Sequence, residues 1–492
     1  MLVEAWLQRA AATAPAATAL RTPAGSCSYA ELLVRARAGA AELRAVGVQP
    51  GDRVAIALPA GLDFAYTLHA CLLLGAAAVP IDLRLRAEER SAIETGAAVV
   101  VEEPLAQAPS RTRHAGVRAR GGVANVTHLA DAGEEGGFMH DLDAVAAVIH
   151  TSGTTSAPKP IELTYGNFLW SALGSAVALG LDPAERWLCA LPLAHVGGLS
   201  ILLRSAIYAS TAVVHPRFET EAVLDALLAE WDSEDSVTLV SLVATTLARL
   251  LDGGLRDPPA LRCALTGGGP VPAALLARAR AAAVPVSLTY GLTEACSQVT
   301  TTPLAALDSA AGAGRRHAAQ MPPANSPPSA DAAALTPSAG PPLFCTRVQI
   351  AADGEIELAG PTVARAAMGA DGWLRTGDLG RLNAEGSLEV TGRKADTIVS
   401  GGENVAPAEV EAVLEAHPEV LEAAVLGRVD DRWGEAVAAL VVLREQAAVD
   451  VEELRAHCVT RLAPYKVPKQ VALVAGPLPR TRSGKLLRRE LA

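Results

Sequence analysis

Short apolar runs alternate with helical patterns from the first helix through Tyr290, and this alternation constrains the fold more than any other feature of the sequence. RVAIAL (53–58), a short run ending near Pro80, AVVVE (98–102), VAAVIH (145–150), AVVH (212–215), VTLVS (237–241) and VSLTY (286–290) have the length and composition of buried strands. Between them lie helical segments. SYAELLVRARAGAAELRAVG carries Ser28 and Glu31 at capping-box spacing, places Leu33, Ala36, Ala40 and Leu43 on one face, and offers Gly47 as a C-terminal stop. DFAYTLHACLLLGAAAV predicts a helix leading into the strand near Pro80. Strands alternating with helices predict parallel α/β layers.

At 492 residues the chain is too long for one core. The pattern changes after Arg393: VEAVLEAHPEV reads as helix, LEAAVLGRVD and AVAALVVL as strands, and VEELRAHCVTRL as helix. The expected fold is therefore a large N-terminal multi-sheet α/β domain (1–391) with a small C-terminal α+β domain (392–492). An Ala/Pro/Ser/Gly-rich segment, 309–342, predicts an irregular excursion. After it VQIAADGEIELAG predicts a hairpin turning at Asp353-Gly354.

Half the residues are apolar and 19% charged, as in a globular protein, and the net charge of −11 argues against nucleic-acid binding. A basic run, RTRSGKLLRREL, closes the chain. Its Arg480, Arg482, Arg488 and Arg489 read as a solvated face. The seven cysteines are scattered without a C-x-x-C pair, which suits neither a disulfide framework nor a zinc site. No secretory leader or membrane span is evident, and a cytoplasmic protein is expected.

The chemistry sits in short polar stretches. HTSGTTSAPKP (150–160) follows a strand, so the backbone and the hydroxyls of Thr151, Ser152, Thr154 and Thr155, with Gly153 and Lys159, form a candidate phosphate loop. It lacks the G-x-x-x-x-G-K-[ST] pattern, and taken alone it reads equally as a polar turn. Five further stretches follow it: LTGGGP (265–270), LTYGLTEACSQVT (288–300), GWLRTGDLGRL (372–382), VTGRKADTIVSGGENVAPAEVE (390–411) and LPRTRSGKLLRREL (478–491). In order and spacing the six resemble the acyl-adenylate-forming enzymes: acyl- and aryl-CoA ligases, luciferases and peptide-synthetase adenylation domains. The resemblance covers nearly the whole chain.

The resemblance implies ATP, Mg2+ and coenzyme A as partners, together with a small carboxylic acid. Thr151 to Thr155 with Lys159 correspond to the loop for the pyrophosphate end of ATP. Gly267, Gly268 and Gly269 correspond to the strip along the adenine, Tyr290 with Gly291 to the stacking position, and Thr293 to a contact near the α-phosphate. Glu294 corresponds to the Mg2+ ligand, Asp378 to the ribose carboxylate, and Arg393 to a further ribose or phosphate contact. Lys485 is the expected catalytic residue: it would bring the acid's carboxylate and the α-phosphate together against their repulsion. In the thiol-transfer step the family's C-terminal domain rotates, bringing the loop with Gly401 and Gly402 to the pantetheine path.

Three positions depart from the family pattern. Ser156 and Pro160 stand where glycine is common, and Ala395 stands at the usual polar hinge. Serine in a left-handed conformation would cost roughly 1–2 kcal/mol, and Pro160 falls beyond the gripping part of the loop. Both departures are expected to tune the loop without disabling it.

LPLAHVGGLSILLRSAIY (191–208) corresponds to the start of the acyl pocket and lacks the acidic residue that an amino-acid substrate would need. Within the family this string, LTGGGPVP and YGLTEACSQV look most like 2-succinylbenzoate–CoA ligases of menaquinone biosynthesis. His195, Arg204, Ser297 and Gln298 are the pocket candidates, with His195 also a candidate catalytic group. A medium-chain or aryl acid is the alternative substrate, and a non-catalytic adenylate-binding protein the alternative class. The resemblance leaves a homodimer open.

Overall fold

Parallel pairing follows from strands joined through helices, and the inner strands of two sheets obey it. The structure, a computed structural model, describes residues 1–105, 117–119, 137–151, 159–231, 233–304, 337–400, 403–430, 433–480 and 486–491. A six-stranded sheet has the order Lys159–Thr164, Val145–Thr151, Ala77–Pro80, Arg53–Ile56, Val99–Val101, Val117–Ala119. An eight-stranded sheet runs Ser297–Thr301, Val286–Leu292, Cys263–Thr266, Leu239–Leu242, Arg186–Cys189, Thr211–Val214, Thr18–Thr22, Gly25–Ser28. Pairing inside both sheets is parallel. The outermost pairs are antiparallel, so the layers are mixed rather than wholly parallel as expected.

Alternate strand residues face opposite cores, as the pleat requires. Val54 and Ile56 join the main cluster while Ala55 joins another; Trp187 and Cys189 join the main cluster while Leu188 faces elsewhere. The main cluster unites both sheets with the helices Tyr29–Ala45, Leu62–Leu74, Tyr165–Leu179 and Val196–Tyr208. The Tyr29–Ala45 helix begins with the expected capping box, in which Glu31 N donates to Ser28 Oγ and Ser28 N to Glu31 Oε2. Leu33, expected on its buried face, is only partly buried; Leu32 takes that place.

A four-stranded antiparallel sheet, Arg347–Ile350, Glu355–Ala359, Leu374–Leu382, Leu388–Arg393, contains the expected hairpin at Asp353-Gly354. Beyond it lies a separate sheet of Glu403–Val405, Ile398–Ser400, Gly434–Leu443, Val420–Asp430 and Gln470–Leu473, packed with the helices Pro407–Glu415 and Val451–Val459 around its own core. This smaller C-terminal unit has the helix and strand order expected from sequence. Most of the 309–342 segment lies outside the described residues. Its last residues belong to the packed fold, with Ala339 N donating to Leu388 O at 2.8 Å and Leu388 N to Gly340 O at 2.9 Å. All seven cysteines are buried and free, and no described helix is long and apolar enough to cross a membrane.

Candidate active site

The candidate phosphate loop grows from an antiparallel strand pair. Thr151 and Lys159 lie directly opposite each other at its base, and Thr151 Oγ1 donates to Lys159 O at 3.4 Å. Lys159 is exposed. Pro160 faces His150 in the outermost strand of the sheet, a position where a missing N–H is tolerated. The loop itself, 152–158, lies outside the described residues, and with it Ser152, Gly153, Thr154, Thr155 and Ser156. So do Gly401, Gly402 and Lys485.

The glycine strip leaves the C-terminal end of the Cys263–Thr266 strand, beside its parallel neighbour Val286–Leu292. This is the end of a parallel sheet at which ligands collect. Gly267 N donates to Leu242 O at 3.1 Å, and a Cβ there would come within 2.5 Å of Thr289 O, so only glycine fits. Gly268 and Gly269 follow.

Tyr290 is brought to Asp378 and Arg393, which stand on two consecutive strands far from it in sequence. The Tyr290 hydroxyl donates to Asp378 Oδ2 at 2.8 Å, and Arg393 Nε meets Asp378 Oδ1 at 2.9 Å. Asp378 and Arg393 are register partners in adjacent strands, which explains their meeting. Asp378 is only 6% exposed and its N–H donates to Thr376 Oγ1 at 3.1 Å. Burial, then the neighbouring Asp378 charge, push the Tyr290 phenol well above its ordinary pKa, so it remains a donor.

The chain then passes through a single 3-10 turn, Lys394–Asp396, tied down on both sides. Lys394 Nζ reaches Asp353 Oδ2 at 2.6 Å and Glu355 Oε2 at 2.8 Å, on the preceding antiparallel sheet and its hairpin turn. Asp396 Oδ2 accepts from Arg488 Nη1 at 3.0 Å, at the end of the C-terminal unit. Ala395 lies between these two anchors.

Thr293 and Glu294 occupy a 3-10 turn directly after the Val286–Leu292 strand. The turn is fixed from both ends. Glu294 O accepts from Ala364 N at 2.8 Å, and Gly291 packs so tightly on Ser297 O that a Cβ would overlap it at 1.6 Å. Cys296 and Ser297 adopt positive φ of 53° and 87° to complete the reversal. Among the described residues the Glu294 carboxylate, half-buried, has no hydrogen-bond or ion-pair partner. A lone hard carboxylate facing partly into solvent suits Mg2+ that completes its shell with phosphate oxygens and water.

Arg204, Ser297 and Gln298 gather behind that turn. Arg204 is 3% exposed, in the middle of the Val196–Tyr208 helix. Its guanidinium lies 5.4 Å from the Trp187 ring centroid, and Nη2 contacts Ser171 Oγ at 3.4 Å. Ser171 Oγ in turn donates to Cys296 O at 2.7 Å, linking the arginine to the turn that carries Ser297. Arg204 Nε and Gln298 Oε1 are buried without a hydrogen-bond partner among the described residues. His195 is not part of this group. It is exposed at the N-terminus of the same helix, nine residues and roughly 13 Å along the axis from Arg204, near the Asp82 charge.

Sequence reasoning did not single out Trp187, Ser171, Thr376 or Lys394. Trp187 stands just before the pocket string and meets Arg204 from the following helix, while Thr376 lies within a quoted stretch, two residues before its partner Asp378.

Comparisons with known proteins address the family. The AMP-binding enzyme family matches residues 7–366, and the AMP-binding enzyme C-terminal domain matches 409–485. The chain is 37% identical over 507 residues to a 2-succinylbenzoate–CoA ligase of Bacillus subtilis, covering 99% of this chain and 97% of that protein. It is 38% identical over 514 residues to the enzyme of the same name from Bacillus velezensis, with the same two coverages. A solved o-succinylbenzoate CoA synthetase from Bacillus subtilis, in complex with its acyl-adenylate intermediate, superposes with TM-score 0.80 at 35% identity, covering 100% of this chain and 98% of that one. Another structure of the Bacillus subtilis synthetase holds ATP and magnesium, at TM-score 0.79. ATP-bound MatB from Rhodopseudomonas palustris, 24% identical, shares the fold at TM-score 0.78 over 99% of this chain and 98% of that one. The chain belongs to the AMP-binding enzyme family.

Proposed function

We propose that the protein is an AMP-forming acid–CoA ligase acting on 2-succinylbenzoate, and that it serves menaquinone biosynthesis in the cytoplasm. The observation that carries the substrate reading is Arg204. A buried guanidinium with no carboxylate partner among the described residues, beside an aromatic ring and the Cys296 turn, suits an acid that brings a second carboxylate. 2-Succinylbenzoate carries two carboxylates on an aromatic frame: one reacts and one remains for Arg204. Names of full-length relatives support the same acid.

In the first step a carboxylate oxygen of the acid attacks the α-phosphorus of ATP, and the bond to pyrophosphate breaks. Gly267 to Gly269 and Tyr290 with Gly291 hold the adenine. Asp378, oriented by Tyr290 and Arg393, accepts from the ribose hydroxyls. Thr151 to Thr155 with Lys159 receive the β- and γ-phosphates, and Thr293 the α-phosphate. Glu294 holds Mg2+, which screens the phosphate charge. Lys485 is assigned the role of offsetting the repulsion between carboxylate and phosphate. In the second step the CoA thiol attacks the acyl-adenylate carbonyl along a path past Gly401 and Gly402, and AMP leaves. The two steps are served by a domain of residues 1–391 and a mobile one of 392–492. Ser297 and Gln298 line the acid with Arg204, and exposed His195 stands at the pocket mouth.

ATP–pyrophosphate exchange tests the reading. Strong exchange dependent on 2-succinylbenzoate is expected. Exchange only with fatty or benzoic acids would replace the substrate, and AMP binding without exchange for any acid would replace the class.

A further inference from the structure

The strand that carries Asp378 is irregular at that residue. Glu357 faces Arg375 and Glu355 faces Leu379, so Ile356 alone stands opposite Thr376, Gly377 and Asp378. A bulge of this kind re-aims a side chain and leaves backbone groups without ladder partners. Gly377 bends with a positive φ of 72°, and Thr376 Oγ1 donates to Ile356 O at 2.7 Å. The freed Gly377 N–H donates to a side chain instead, Glu355 Oε1, at 2.9 Å.

The other oxygen of the same carboxylate is also engaged: Glu355 Oε2 accepts from Lys394 Nζ at 2.8 Å. Lys394 follows Arg393, the register partner of Asp378 in the adjacent strand, and Gly377 immediately precedes Asp378. Each oxygen of Glu355 therefore holds the chain neighbour of one member of the Asp378–Arg393 pair. Glu355 is 7% exposed. The Lys394 ammonium, working against burial and joined by the Gly377 N–H, holds its carboxyl below the usual range, so both oxygens are acceptors at neutral pH. Its own N–H donates to Asp353 Oδ1 at 3.2 Å, which fixes the turn from which the side chain reaches out.

We propose that Glu355 is a positioning residue for nucleotide recognition: by holding Gly377 and Lys394 to one carboxylate, it sets where the Asp378–Arg393 pair stands. Glu355 acts through the residues on either side of that pair, with both of its own oxygens already occupied. The inference rests on the ribose role given to Asp378 above. Its physical basis is that a carboxylate accepts from a hydroxyl only over a narrow range of distance and angle, so a bulge that shifts loses the contact.

Calorimetric titration of the full-length protein with ATP and with 2′-deoxy-ATP, each with Mg2+, tests this with no acid present. The parent is expected to prefer ATP by about tenfold, the size of one hydrogen bond to a charged group, and Asp378→Asn to lose most of that preference. Glu355→Ala should lose it to a similar extent while its affinity for 2′-deoxy-ATP stays within about threefold. Glu355→Gln keeps the shape and an acceptor for Gly377 N. It should lose about threefold of the preference and melt with the parent, and it carries the test if the alanine variant does not fold. Equal weakening for both nucleotides would mark a merely structural glutamate, and an unchanged preference in the Glu355 variants would also overturn the proposal. Asp378→Asn is the control. If it keeps the parent's preference the ribose reading fails and the inference with it, whereas its loss beside an unaffected Glu355→Ala sinks only the inference about Glu355.

Discussion

Two arginines of the candidate site meet opposite fates. Arg393 is 56% exposed, yet its charge is matched by Asp378 at 2.9 Å. Arg204 is 3% exposed and lies against Trp187, with Nε unpartnered and no carboxylate in contact among the described residues. Burial lowers its pKa, but a guanidinium stays protonated in a protein, so the charge remains. The contrast separates two uses of one side chain. Arg393 spends its charge inside the protein to orient a carboxylate before any ligand arrives. Arg204 keeps its charge available at a cost to folding, which is the arrangement expected of a group that waits for an anionic substrate.

Removing Arg204 should give the largest effect. Arg204→Met is expected to lower kcat/KM for 2-succinylbenzoate by roughly 100-fold or more, the consequence of stranding a carboxylate in a buried site. Its melting temperature should hold or rise, because a buried charge has gone. A fall in melting temperature with equal loss on every acid would make Arg204 structural and dissolve the contrast.

Asp378→Asn probes the other side. It leaves Arg393 without its counter-ion and weakens the acceptor offered to the nucleotide, so KM for ATP should rise about tenfold, near 1.4 kcal/mol. Discrimination among acids should not change; a change would mean that the two arginines act in one pocket. Tyr290→Phe should be the mildest. Loss of one hydrogen bond to Asp378 is worth about 1 kcal/mol, so KM for ATP should rise about fivefold while the acid's KM holds.

Sequence carried much of this fold, but unevenly. Buried strands such as Val145–Thr151 and Thr211–Val214 are legible because their own residues are largely β-branched and apolar. Arg186–Cys189 and Cys263–Thr266 contain no Val or Ile and were not legible, though both are inner strands. The edge strands Lys159–Thr164 and Ser297–Thr301 owe their direction to a partner, which no local pattern encodes. At the site, Asp378 and Arg393 could be named from their motifs, and register explains why they meet. Arg204 could be named too, but not its burial: its helix is apolar nearly all round, so periodicity gives no inner face. The anchors Lys394–Glu355 and Arg488–Glu411 join residues far apart in sequence, and only the folded chain reveals them.

Those anchors mark where one unit gives way to the next. Lys394 is moored to Asp353 and Glu355 on one side, and Asp396 to Arg488 on the other. Between the moorings stands Ala395, whose side chain has nothing to moor. Ala395 thus marks the single residue at which the chain passes from contacts with the four-stranded sheet to contacts with the C-terminal unit, a boundary drawn by the charges flanking it rather than by the residue at its centre.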